Sequence, residues 1–192
     1  MKKFLTLVIV CSIVLISCKK DDKSSSKNFL KYEGKEFALD KGILENWGKW
    51  SVDGDNNIDL SLLSEGVTLV EINNEIDHAT GTGHGAQFWM YSTSTTELNS
   101  LTYTYDASAS EAAGTFEYGY FVINYNFETW VGEVDQDIEG GTVEVAKNGT
   151  TYKITINCID EDGKTLTGSF EGALRYYNYD KKKTTREDKR RF

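Results

Sequence analysis

The chain has 192 residues, 30 Asp and Glu against 21 Lys and Arg, a net charge of −9, three Cys and no Pro. Residues 50–146 contain 17 Asp and Glu and no Lys or Arg. Nucleic acid is therefore not an expected partner, because phosphate binding needs a basic footprint. A field of this sign favours neutral or cationic ligands, and as a solvated surface it also keeps a protein soluble.

Lys2 and Lys3 precede an apolar run, residues 4–16, which ends at Ser17 and Cys18. A positive start, a short apolar stretch and a small residue at the presumed cut are the anatomy of a secretory signal. The run is shorter than the roughly 20 apolar residues needed to cross a bilayer. Leu15-Ile16-Ser17-Cys18 resembles the bacterial lipobox. That resemblance implies a lipidated Cys18 as first mature residue and a membrane anchor of two or more acyl chains, which hold stably where one chain does not. Lys20-Asp21-Asp22 resembles the export signal that sends Bacteroidetes lipoproteins to the outer face of the outer membrane. The expected division is a signal peptide at residues 1–17, a polar tether at 18–28, one domain at 29–180 and a basic, disordered tail at 181–192.

Period-2 patterns between turn signals run through the domain, with almost no helical period. Strands are expected at residues 35–40, 43–52, 57–63, 67–72, 87–92, 101–105, 115–127, 142–147, 151–160 and 164–176. About ten short strands indicate an all-β antiparallel meander closing as a barrel or packing as a two-sheet sandwich.

The last third can be read to register. A two-residue type I′ turn at Asn148-Gly149 would set Val145 against Tyr152 and Val143 against Ile154. A three-residue loop at Glu161-Asp162-Gly163 would set Cys158 against Leu166, Ile154 against Phe170 and Lys153 against Glu171. The run from Gly141-Thr142-Val143 through Tyr152 to Asp162-Gly163-Lys164 and Gly168-Ser169-Phe170 is similar to the closing meander of many Bacteroidetes surface lipoproteins with calycin-like or sandwich folds. This resemblance implies a fold and a setting, and no activity. Gly48-Lys49-Trp50 matches the lipocalin Gly-x-Trp, but strand-like sequence precedes it, so the match reads as coincidence.

Site chemistry is sparse. Asp53, Asp55, Asn57 and Asp59 alternate like the start of a calcium loop, yet Ile58 and Ser64 stand where such a loop needs Gly and Glu. They are weak metal candidates beside the plainer reading of a polar turn. His78 and His84 lack metal-ligand spacing, and residues 81–85 read as a glycine-rich loop. Cys158 falls on an apolar strand face and reads as a buried thiol.

Aromatic residues are the remaining signal, and Trp89, Tyr91, Tyr118 and Trp130 are the candidate contacts for a ligand. In residues 115–127 apolar side chains occupy both faces, with Phe116, Tyr118, Tyr120 and Val122 on one and Phe121, Ile123, Tyr125 and Phe127 on the other. The expectation is a surface-anchored binding module for a neutral glycan or a small apolar ligand, without cofactor and without catalysis. The alternative is a structural or interaction lipoprotein of the cell envelope.

Overall fold

A computed structural model of the chain describes residues 27–180; the expected signal peptide, most of the expected tether and the expected basic tail lie outside the described residues. The described chain is all β: β1 (Phe29–Tyr32), β2 (Lys35–Ala38), β3 (Lys41–Lys49), β4 (Asn56–Leu63), β5 (Val67–Ile72), β6 (Glu75–Ser92), β7 (Thr102–Tyr105), β8 (Thr115–Asn126), β9 (Val134–Asn148), β10 (Thr151–Asp160) and β11 (Thr165–Asn178).

Strands β3, β4, β6, β8, β9, β10 and β11 follow one another antiparallel round a ring. An odd number of alternating strands brings the first and last in the same direction, and β11 does pair parallel with β3, Leu174 to Asn178 beside Gly42 to Asn46. The short β7 enters where β8 and β9 splay, antiparallel to Val143 of β9 and parallel to the start of β8. The result is a closed eight-stranded barrel with β1, β2 and β5 outside the ring. Closure settles the choice between barrel and sandwich, and it abolishes the ring's free edges in a chain that has no Pro to blunt them.

Inward positions fill the lumen. Leu44, Ile58, Leu60, Leu62, Phe88, Met90, Phe116, Phe121, Ile123, Val143, Ile154, Ile156, Leu166 and Phe170 belong to one buried cluster. Leu30 and Tyr32 of β1 join it, the Tyr32 ring meeting Phe121 edge-on at 4.9 Å. Sequence reading missed β1. It pairs on one side with β2 across the Glu33-Gly34 turn and on the other with the early part of β11, where Gly168 lets Leu30 come close.

The three-residue loop before β11 is as expected: Cys158 faces Leu166, Ile154 faces Phe170, Lys153 faces Glu171, and Gly163 has φ +74°. The other hairpin differs. Asn148 pairs with Thr151 and Val145 with Ile154, so the loop residues are Gly149 and Thr150. Positive φ at the first loop position, Gly149, is the type II′ signature, whereas the expected type I′ turn needs it at both. The slip is by two residues, which keeps every side chain on its expected face.

Residues 81–85 are not a loop. They lie within β6, an 18-residue strand that pairs with β5 through its first half and with β4 and β8 through its second. Gly81 sits at φ +89° where the strand turns from one partner set to the other, and a Cβ there would stand 2.3 Å from the Gly66 carbonyl oxygen. The β5–β6 arm thereby lies on the outside of the barrel. There Val67, Ile76 and Ala79 pack with Ile43, Leu63 and Val122 in a second buried cluster.

Candidate functional site

Inward side chains pack the lumen, and one part of the outer wall has unusual chemistry. Every residue of β4 is buried. Its inward side chains are Ile58, Leu60 and Leu62; its outward ones are Asn57, Asp59, Ser61 and Leu63. Across the strands at one level, the outward residues are Tyr177, Glu45, Asp59, Trp89 and Tyr118. At the next level they are Arg175, Ile43, Ser61, Gln87, Tyr120 and Asp137. An ordinary barrel exterior is polar and wet. This one is polar and covered.

Cover comes from three sides. The β5–β6 arm lies over the lower part. The last described residues border β3, where Tyr179 stacks on Trp47 at 4.6 Å and 17° and its hydroxyl accepts the Ile76 N–H at 2.8 Å. At the far end, the connection from β7 to β8 reaches back to the β3–β4 loop: the Asp55 N–H donates to the Glu111 carbonyl at 2.9 Å, and the Ala113 N–H donates to the Asp55 carboxylate at 2.8 Å. Under this cover Trp89 and Tyr118 meet at 4.7 Å with rings tilted by 55°, and with Glu117 and Ala109 they line a cavity of about 320 Å³. The Tyr118 hydroxyl donates to Asp137 at 2.8 Å, which fixes the ring from behind.

Of the four candidate aromatics, the structure therefore brings together Trp89 and Tyr118. Tyr91 lies two residues along β6 on the same face but is 1% exposed, and it is a packed residue rather than a contact surface. Trp130 belongs elsewhere. It is 52% exposed at φ +59° in the β8–β9 connection, beyond Asn126, eight residues along the strand from Tyr118. That is roughly 25 Å at strand rise.

The two-face reading of residues 115–127 also needs correction. Phe116 is inward with Phe121 and Ile123, while Tyr118, Tyr120, Val122, Tyr125 and Phe127 face the outer cluster. Two irregularities re-phase the strand, one where Trp89 pairs Tyr118 but Met90 pairs Phe116, the other between Gly83 and Gly85 opposite Asn124 at φ +49°. A bulge adds a residue and turns all later side chains over. Strict alternation in the sequence cannot reveal that.

The remaining candidates are separated. Asp53 is exposed in the β3–β4 loop and Asp55 caps Ala113. Asn57 and Asp59 stand on β4, where Asn57 donates to Asp59 at 3.0 Å and accepts the Trp50 indole N–H at 3.1 Å. Strand geometry spreads them instead of wrapping them round an ion, and among the described residues no group of three His, Cys, Asp or Glu is placed to hold a metal. His78 pairs with its neighbour Asp77 at 2.8 Å, exposed on the arm. His84 accepts the Asn124 N–H at 3.1 Å against the Phe37 ring, and burial lowers its pKa. Burial pushes the Cys158 thiol up to about 12 and Tyr177, also bonded to Glu71, up to about 12.

Sequence reasoning missed Glu45, Asp59, Ser61, Gln87 and Tyr120 as members of one face. The available signal was the alternation of Asn57, Asp59 and Ser61 with Ile58, Leu60 and Leu62. Alternation normally marks a wet face, and the covering arm comes from elsewhere in the chain. The chain matches no protein-family model, no curated protein and no solved structure.

Proposed function

We propose that this chain is a lipoprotein anchored through Cys18 at the outer surface of the outer membrane, and that it acts as a binding module for a neutral ligand, a glycan foremost. The observation that carries the reading is the Trp89–Tyr118 pair at the wall of the outer cavity, with Glu117 beside it. Flat rings offer a sugar face its apolar contact, and carboxylates and tyrosine hydroxyls accept and donate at its rim. The filled lumen supports an exterior site, and residues 50–146, which supply β4, β6 and β8, bring no Lys or Arg that would favour an anion. The address rests on the lipobox-like tetrad and on Lys20-Asp21-Asp22.

Two measurements test this. The mass of the mature protein should correspond to an acylated N-terminal Cys18; an unmodified Cys18 or another N-terminus overturns the anchor. A panel of neutral oligosaccharides should raise the melting temperature and change Trp fluorescence. If neither changes, the structural or envelope-interaction reading replaces binding.

A further inference from the structure

The Trp89–Tyr118 cavity is closed on one side by a segment built unlike the rest of the domain. Between β7 and β8, residues 106–114 read Asp-Ala-Ser-Ala-Ser-Glu-Ala-Ala-Gly, with no aromatic and no branched aliphatic residue among them and none of them buried. Ala109, in the middle, lines the cavity together with Trp89, Glu117 and Tyr118. The two ends are tied to the strands beneath: the Asp106 N–H donates to the Phe116 carbonyl at 2.9 Å, and the Gly114 N–H donates to the Tyr91 carbonyl at 3.0 Å.

Between those ends the segment is fastened to the β3–β4 loop by polar contacts. Glu111 Oε2 accepts the Ser51 N–H at 3.1 Å and the Ser51 hydroxyl at 2.6 Å, and a Cβ on Gly54 would collide with that carboxylate. The Asp55 N–H bonds the Glu111 carbonyl, and the Asp55 carboxylate takes the Ala113 N–H. A segment held by solvent-exposed hydrogen bonds, with no apolar side chain buried beneath it, opens far more easily than the barrel unfolds. Its backbone favours release, because Ala109 at φ +51° and Glu111 at φ +57° hold a conformation that L side chains rarely adopt.

The ring behind it needs such an opening. Trp89 is 8% exposed. On a side chain with up to roughly 250 Å² of surface that leaves about 20 Å², too little for a sugar face to stack on.

We infer that residues 106–114 form a lid on the Trp89–Tyr118 cavity, hinged at Asp106 and Gly114 and latched on the β3–β4 loop by Glu111 and Asp55, and that ligand reaches the Trp89 ring only while the latch is open. Control of binding rests on the reading that this cavity holds the ligand; the movement of the lid does not. Only the open fraction is competent to bind, so a weaker latch raises the exposure of Trp89 and the rate of association together.

The test follows the lid first without ligand and then with one, in the full chain carrying 5-fluorotryptophan at its four Trp positions. A neutral gadolinium chelate in solution should broaden the fluorine signal of Trp130 strongly and those of Trp47 and Trp89 weakly, as their exposures of 52%, 5% and 8% require. Glu111→Ala should increase the broadening of Trp89 about threefold and leave Trp47 as it was. It should also speed amide exchange at Asp55 and Ala113 about tenfold, with Leu60 and Phe88 unmoved. Ser51→Ala, which removes one of the two side-chain and backbone bonds to Glu111 Oε2, should shift the same signals in the same direction by less. In stopped flow, the neutral oligosaccharide giving the largest thermal shift should then associate faster by the factor seen in the exchange. An unchanged Trp89 signal in both variants overturns the lid, as does broadening that rises equally at Trp47. Fuller exposure of Trp89 with no gain in association rate overturns the gating. A lid that opens in a protein no oligosaccharide binds keeps the movement and overturns the glycan reading.

Discussion

Tyr32 ties β1 to the hairpin that closes the barrel, and its hydroxyl makes the energetic content of that tie measurable. The hydroxyl donates to Asp160 Oδ2 at 2.6 Å, while Asp160 Oδ1 accepts the N–H groups of Asp162 at 3.0 Å and Lys164 at 2.7 Å. Asp160 is 1% exposed. Tyr32→Phe removes one hydrogen bond to a carboxylate and keeps the ring against Phe121, which should cost about 2 kcal/mol. For a domain of this size that is roughly a 6 °C fall in melting temperature. Asp160→Ala strands three donors at once and should cost about 3–4 kcal/mol, part of it recovered by water at the turn. The two losses should not add: the double variant should fall short of their sum by about 1.5–2 kcal/mol, because both remove the same bond. Urea unfolding with unchanged m gives each value. A Tyr32→Phe protein within 0.5 kcal/mol of wild type, or strict additivity, would refute the claim that this bond anchors β1.

Tyr32, Tyr103 and Tyr177 are each raised to about 12, in every case first by burial. A raised tyrosine adds stability that is complete below its unfolded value of about 10 and is lost as pH climbs through the folded value. Stability should therefore fall between pH 10 and pH 12, with tyrosinate absorbance from these rings rising together with unfolding; smooth ionisation of all tyrosines near pH 10 in a folded protein would contradict it. Cys158, 1% exposed with its thiol up at about 12, should resist disulfide reagents in the native protein and react fully in denaturant. Gly141→Ala, with φ +105° and a would-be Cβ 2.3 Å from the Asn157 carbonyl oxygen, should cost roughly 2–4 kcal/mol. Gly149→Ala, at φ +60° in open space, should cost about 1 kcal/mol, and equal costs in denaturant melts would show that the β9–β10 approach is not as described.

Short-range chemistry was legible in this sequence wherever one strand met the next. Residues 67–72 and 151–160 are strands to the residue, and the loop before β11 follows from pairing Cys158 with Leu166. Reading failed where structure depends on distant chain. Phe29–Tyr32 owes half its pairing to distant Leu166–Ser169, and the local half, a two-residue hairpin to β2 across Glu33-Gly34 with both φ positive, went unread. Gly81, Gly83 and Gly85 look like a loop, yet they admit Gly66, Ser64 and Leu63 against a continuous strand. The site suffered most. Trp89, Tyr118 and Trp130 were all singled out because large aromatics stand out, and the fold sets the first two side by side and the third far from them; Asp59, Ser61 and Gln87 were passed over because only the β5–β6 arm and the tyrosines at the end of β11 make their face a buried one.

On the proposed function, the outer face at Trp89 and Tyr118 holds the ligand. Titration of wild type, Trp89→Ala, Tyr118→Ala and Trp130→Ala with the neutral oligosaccharide giving the largest thermal shift tests it most directly. Losing either cavity ring should weaken binding about two- to twelvefold, each stacking contact being worth about 0.5–1.5 kcal/mol, while the exposed Trp130→Ala should bind as wild type does. Unchanged affinity in both cavity variants, or a loss confined to Trp130→Ala, would contradict the account and move the site to the β8–β9 connection.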